Sequence, residues 1–158
     1  MIALLAALVL SASSTQAASD PVVEAGAVLD RMHAAASRAD GDAYFDLFTP
    51  DARFIGTDAT ERWSLAEFRA YATPYFSQGK GWTYRPHDRV GTLAPGDCRC
   101  IVWFDELLDN DAYGLTRGSG VLRLTDNGWK IEQYVLSFTV PNDKAKGVVG
   151  VIAQGPAD

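Results

Sequence analysis

With 158 residues, 47% of them apolar, the chain has material for one domain with a single sizeable core and not for two. Its 20 Asp and Glu against 14 Lys and Arg leave a formal charge of −6. Such a surface offers no basic stripe for phosphates, which argues against nucleic acid or an anionic membrane as partner.

The chain opens with an apolar run, Ile2 to Leu10, followed by small polar residues and Thr15-Gln16-Ala17. This pattern predicts a signal peptide over 1–17, cleaved after Ala17, and hence a periplasmic or secreted protein with no membrane attachment after cleavage. The run falls well short of the roughly 20 apolar residues that span a bilayer. No cysteine follows it to carry a lipid. No Lys or Arg precedes it, which departs from the usual signal pattern.

Asp20-Pro21 is a helix start, with a capping acid before a proline at the first helical position. Val22, Ala25, Leu29, Met32 and Ala36 then recur at helical spacing, which predicts a first helix through about Ser37. Asp40-Gly41-Asp42 breaks it and opens a short second helix that Thr49-Pro50 stops. A strand over 52–56 follows. Ser64 and Glu67 form a capping box for a third helix, which Gly79-Lys80-Gly81 ends.

From Trp82 the helical period disappears. Turn signals at 94–97, 109–111 and 126–128 divide the rest into strands over about 82–93, 98–108, 112–125 and 129–140. Asp126-Asn127-Gly128 between two alternating runs is a hairpin signal. The domain is expected over 20–143, and the tail over 144–158 either pairs on a sheet edge or frays. Cys98 and Cys100 would share one face of a strand, and a bridge across a single residue is strained. They are expected to be two small, partly buried apolar side chains, with neither a disulfide nor a metal between them.

These elements make an α+β protein in which a curved antiparallel sheet wraps around helices. Their order, with DGDAYFDLFTPDARFIGTD (40–58), ERWSLAEFRAY (61–71), RGSGVLRLTDNGWKIEQY (117–134) and LSFTVPND (136–143), resembles the SnoaL-like branch of the nuclear transport factor 2 superfamily. The resemblance implies a cone-shaped, strongly curved antiparallel sheet packed on three N-terminal helices, with an interior pocket and commonly a homodimer. It implies no single function, since one frame carries many chemistries. Steroid isomerases of the superfamily need a carboxylate at the end of the first strand and a tyrosine on the first helix. Here those positions fall on Gly56 and Ala34, so no catalytic residue carries over.

Alternation along strands assigns faces. Trp129, Ile131, Gln133, Val135 and Ser137 form an uncharged set expected inside the cone, although Leu136 and Phe138 of the other set are equally suited to a dimer interface. On the preceding strand Arg117 and Ser119 share a face, opposite Gly114, Gly118 and Gly120. If Arg117 points inward it binds an anionic group bidentately, and otherwise it is a surface residue or a partner of Asp105 or Glu106. Trp103 and Asp105 lie on one face of their strand, Phe104 and Glu106 on the other. In a closed cavity Asp105 would be an acid or base, and outside one an ion-pair partner.

Asp58, with Glu61-Arg62-Trp63, falls in the loop at the expected mouth, where Asp58 either contacts a ligand or closes a turn. Trp63 and Tyr71 either line the opening or pack the third helix on the sheet. His33 and His87 lack partners at ligand spacing, so no metal site is expected. Gly118-Ser119-Gly120 lacks the context of a hydrolase elbow, and no phosphate loop appears, so no cofactor is expected. The leading reading is a small organic ligand held by Trp63, Tyr71, Trp103, Arg117, Ser119 and Gln133. Its alternatives are a cofactor-independent isomerase, lyase or hydrolase using Asp58 or Asp105 with Arg117, and a dimeric interaction module without a ligand.

Overall fold

The computed structural model describes residues 19–154, and the expected signal segment lies outside them. Helix α1, Pro21–Ser37, begins where the Asp20 carboxylate accepts a hydrogen bond from the Val22 amide at 2.9 Å. Ala25, Val28, Leu29, Met32 and Ala36 form its buried face. Asp40 caps the short α2, Gly41–Phe45, through the Ala43 amide. Strand β1, Phe48–Ile55, starts earlier than its apolar pattern predicts and includes Thr49-Pro50. A short strand β2, Arg62–Ser64, leads into α3, Leu65–Phe76, whose Ser64–Glu67 capping box is present in both directions.

The remaining strands are β3, Arg85–Leu93; β4, Ile101–Asn110; β5, Gly114–Thr125; and β6, Gly128–Phe138. Together they make one six-stranded sheet in the order β2-β1-β6-β5-β4-β3. Pairing is antiparallel except between β1 and β6, which run parallel. Helix α1 lies across the inner face of the sheet, and α2 and α3 close its β1 end. Tyr44, Phe45, Phe48, Phe68 and Phe76 fill the space between the helices and the strands. This is the α+β arrangement expected from the order of elements.

Two irregularities in the strands decide what the inner face carries. In β6, Ile131 pairs with Leu122 and Gln133 with Val121, so Glu132 is an inserted residue. In β3, His87 pairs with Leu107 and Val90 with Asp105, so Asp88 and Arg89 together stand opposite Glu106. Asp88 there adopts a left-handed φ of 48°. A bulge of this kind changes which residues point inward beyond it. Trp129 and Ile131 therefore face the core, and after the bulge Tyr134 and Leu136 do. Gln133, Val135 and Ser137, expected inside, pair with Val121, Ser119 and Arg117 on the outer face.

Two further expectations are corrected. Cys98 and Cys100 are joined in a disulfide, with Cα atoms 5.1 Å apart. They precede β4, and Arg99 between them takes a left-handed φ of 45°. That turn brings the two Cα atoms well inside the bridging range, whereas the extended backbone assumed for a strand would hold them at its upper limit. The tail neither pairs nor frays but forms a helix α4, Ala145–Ala153, whose Val149, Val151 and Ile152 are exposed. Among the described residues no helix is long and apolar enough to cross a membrane.

Candidate functional site

Between α3, the inner face of the sheet at β1, β2 and β6, and the segment that precedes β3 lies a cavity of about 190 Å³. Its walls are mostly rings, including Phe54, Trp63, Phe68, Trp82 and Tyr84, with Leu136 completing them. Phe54 stacks on Phe68 with centroids 3.9 Å apart, and Trp63 stacks on Tyr71 at 4.8 Å. Tyr71 and Tyr113 stand at the rim, both about half exposed. Burial, and then the neighbouring Tyr113 and Glu61, push the Tyr84 hydroxyl up to about 12, so it stays protonated and can donate.

A smaller recess of about 20 Å³ shares Phe54, Trp82, Tyr84 and Leu136 with this cavity and reaches His33, Met32 and Tyr134. That volume holds about one water. Beneath it is a buried polar network centred on Glu106, which is 0% exposed. His33 Nε2 lies 2.7 Å from Glu106 Oε1, and the Tyr134 hydroxyl donates to the same oxygen at 3.1 Å. Arg89 Nε donates to Oε2 at 2.7 Å. The guanidinium is held in turn by the Gly26 carbonyl at 3.0 Å and by Asp30 at 2.8 Å.

Burial alone would raise the Glu106 pKa. The hydrogen bond and charge of His33, with those of Arg89, outweigh it and hold the carboxyl below its ordinary range, so Glu106 is a carboxylate. Burial and the adjacent Glu106 push Tyr134 well above its ordinary value, so it remains a neutral donor. With Glu106 a carboxylate, Nε2 of His33 carries the proton shared between them. Nδ1 has no hydrogen-bond partner among the described residues, yet no sealed side-chain nitrogen or oxygen among them is unpaired. It is therefore open, and the space beside His33 is the recess.

The two bulges account for this network. One turns Arg89 inward opposite Glu106, and the other turns Tyr134 inward. Gly118 makes room for them, since a Cβ there would overlap the Tyr134 hydroxyl and come within 3.2 Å of Glu106 Oε1.

The residues singled out in the sequence divide between two places. Trp63 and Tyr71 line the cavity. Trp103, Asp105, Arg117, Ser119 and Gln133 lie on the outer face of the sheet instead of its interior, Trp103 being 46% exposed. Arg117 Nε is 4.0 Å from Asp105, both side chains 52% exposed, which is the ion-pair alternative named for them. Asp58 closes a turn, accepting from the Thr60 amide at 2.8 Å and hydroxyl at 2.6 Å, and those bonds lower its pKa.

Glu61 is the acid at the mouth: its carboxylate fills the space that a side chain on Gly56 would take, and it accepts from the Asp58 amide at 3.2 Å. Ala34 is exposed, while its neighbour His33 faces inward. His33, Tyr84, Arg89 and Tyr134 were not singled out as site residues. A signal for His33 was present, because it lies four residues after Leu29 and eight after Ala25 on the inward face of α1.

The fold is shared with solved structures of low sequence identity. A proposed dehydratase of the NTF2-like family from Streptomyces avermitilis superposes with a TM-score of 0.64 at 14% identity, covering 77% of this chain and 97% of that one. An NTF2-like protein of unknown function from Pseudomonas putida gives 0.63 at 11% identity, over 78% and 89% of the two chains. A proposed ketosteroid isomerase from Shewanella frigidimarina gives 0.57 at 19% identity, over 72% and 94%. No curated protein matches the chain by sequence. The SnoaL-like domain family model matches residues 26–141, which span the cavity and every member of the Glu106 network, and the chain belongs to the SnoaL-like domain family within the NTF2-like fold.

Proposed function

We propose that this protein, exported by its N-terminal signal, binds a small, neutral, largely planar organic molecule in the cavity between α3 and the sheet. The observation that carries this reading is the cavity itself, walled by aromatic rings and ending on a few polar groups, as small-molecule sites are. Its size is below that of drug-sized pockets, which run from roughly 300 Å³, so one or two fused rings are the largest occupant it suits. Neither the cavity nor the recess is lined by a Lys or Arg, and Glu61 stands at the mouth. A carboxylate or phosphate ligand is disfavoured there, which replaces the anionic ligand that an inward Arg117 would have selected. Structural relatives described as a proposed dehydratase and a proposed ketosteroid isomerase fit a small-molecule role.

Trp63 and Trp82 line the cavity and report its occupancy. Fluorescence and thermal-unfolding titrations with a panel of one- and two-ring compounds should find a binder that quenches tryptophan emission and raises the unfolding midpoint. At a hundredfold excess over Kd the stabilisation is about 2.7 kcal/mol. Leu136→Trp, which fills the cavity, should abolish the effect, and Arg117→Ala should leave it intact. The reverse pattern would move the site to the outer face.

A second reading, self-association through the outer sheet, is favoured by the exposed Val90, Trp103 and Leu115. Sedimentation of the wild type as a dimer, and of Trp103→Asp as a monomer, is the expected result.

A further inference from the structure

We propose that the Cys98–Cys100 disulfide is a site of thiol–disulfide exchange, which oxidises an accessible dithiol, and is not a staple of the fold. None of its residues lines the aromatic cavity, so the inference is independent of the ligand-binding reading.

The first support is what the bridge fails to join. A disulfide stabilises a fold mainly by tying together segments that are distant in the unfolded chain, and the effect grows with the loop it closes. Here a single residue separates the two cysteines, and both lie in the connection between β3, which ends at Leu93, and β4, which begins at Ile101. That connection is held without the bridge. Strands β3 and β4 pair up to Leu93 and Val102, the Ala94 amide donates to the Ile101 carbonyl at 2.9 Å, and the Leu124 amide donates to the Cys100 carbonyl at 2.8 Å.

The second support is the backbone the bridge keeps in place. Arg99 has a φ of 45°, a left-handed conformation that glycine adopts freely and arginine does not. Holding such a residue there works against the closed form by about ten-fold in equilibrium constant. Reduction opens the ring and releases Arg99 from that conformation, which favours uptake of electrons by this disulfide. Strained or exposed disulfides are the ones that exchange readily.

The third support is an asymmetry between the two sulfurs. Cys98 is exposed, whereas Cys100 is partly buried and anchored to β5 through its carbonyl. Asp97 precedes Cys98 and disfavours a thiolate there, while Arg99 precedes Cys100 and enters no ion pair among the described residues. Cys98 is thus the sulfur that an incoming thiolate reaches, and Cys100 is the better leaving group.

The exchange then runs in two steps. One thiolate of the dithiol attacks Cys98 Sγ, the Sγ–Sγ bond breaks, and its electron pair departs on Cys100 as a thiolate. The second thiolate of the dithiol attacks the substrate sulfur of the mixed disulfide, and Cys98 departs with that electron pair. The dithiol has given up two electrons and two protons to become a disulfide, and Cys98 and Cys100 have gained them as two thiols. Oxidised glutathione, itself a disulfide, restores the bridge by the reverse sequence.

The test uses the purified chain, a linear Cys-Gly-Gly-Cys peptide as the dithiol, and buffers of reduced and oxidised glutathione, with free thiols read by alkylation and mass spectrometry. The chain should carry no free thiol after air oxidation, oxidise the peptide one for one, and become half reduced in a glutathione buffer that leaves a structural disulfide intact. Arg99→Gly should shift this equilibrium toward the disulfide by roughly ten-fold. In Cys100→Ser, oxidised glutathione should be trapped on Cys98 as a stable mixed disulfide, and faster than on Cys100 in Cys98→Ser. The double variant Cys98→Ser with Cys100→Ser should unfold at the wild-type denaturant midpoint and leave the peptide reduced.

Two free thiols in the air-oxidised chain, or a bridge that stays oxidised across the glutathione series, would overturn the proposal. So would an equilibrium unmoved by Arg99→Gly, or a double variant that loses its fold or much of its midpoint, since the bridge would then be structural.

Discussion

Asp105 and Glu106 are neighbours on one strand, each faces an arginine, and the two pairs have opposite fates. Asp105 and Arg117 meet at 4.0 Å on the outer face with both side chains half exposed. Glu106 and Arg89 meet at 2.7 Å on the inner face, with Glu106 wholly buried and two more donors on the same carboxylate. One peptide step on a pleated strand separates a solvated ion pair from a network that the interior cannot leave unfinished. The pair that looked like a site in the sequence is the solvated one.

The largest effect expected from this contrast is on folding stability. Removing a single member of a buried pair leaves an uncompensated charge, so Glu106→Ala should cost about 3–5 kcal/mol. Denaturant unfolding of Glu106→Ala beside Asp105→Ala measures the difference directly, and equal losses would break the comparison. The pH dependence sharpens it. Glu106 has a lowered pKa in the folded state, so its contribution is complete above the ordinary carboxylate range, near the reference value of 4.5, and is lost as pH falls through the folded value. The stability gap between the wild type and Glu106→Ala should therefore narrow on acidification below that range.

A smaller effect is expected one strand away. Gly118 and Ser119 repeat the inner and outer alternation on β5, opposite Glu106 and Asp105 respectively. Gly118→Ala forces a methyl group onto the Tyr134 hydroxyl and toward Glu106, an overpacking that costs about 1–3 kcal/mol. Ser119→Ala on the outer face should stay within about 0.5 kcal/mol of the wild type. Pairing Gly118→Ala with Tyr134→Phe should recover part of the loss, since the phenol oxygen is the nearest obstruction.

Much of the fold was legible because local signals agree with it. The Asp20 cap, the Ser64–Glu67 box and the Asp126-Asn127-Gly128 turn all sit where the chain changes element. Face assignment was legible only where the ladder is regular. On β4, Trp103 with Asp105 and Phe104 with Glu106 each present an aromatic beside an acid, so composition does not say which pair is inside. On β6 the alternation from Trp129 is correct through Ile131 and inverts at the Glu132 bulge, which puts Tyr134 inside and Gln133 outside. On β3 the bulge at Asp88 and Arg89 has the same consequence for Arg89. Neither bulge is marked by a glycine or proline at the inserted residues, so the two features that assemble the Glu106 network have no signature a reader of the sequence would recognise. The turn at Arg99 that permits the Cys98–Cys100 bridge belongs with them, as a left-handed conformation on a residue type that seldom adopts it.

The smallest expected effect is the coupling between Asp105 and Arg117. Exposed pairs of this kind contribute from nothing to about 1 kcal/mol, and a separation of 4.0 Å through a single guanidinium nitrogen is the weak end of that geometry. A double-mutant cycle with Asp105→Ala and Arg117→Ala should return a coupling of no more than a few tenths of a kcal/mol, and high salt should erase it. A coupling of 2 kcal/mol or more on the order seen for buried pairs would mean that solvent does not reach these residues in solution. The exposed Val90, Trp103 and Leu115 on the same face supply the apolar surface that would exclude it. The cycle repeated on Trp103→Asp would then distinguish a pair shielded inside a dimer, whose coupling collapses with dissociation, from one shielded within the monomer, whose coupling persists.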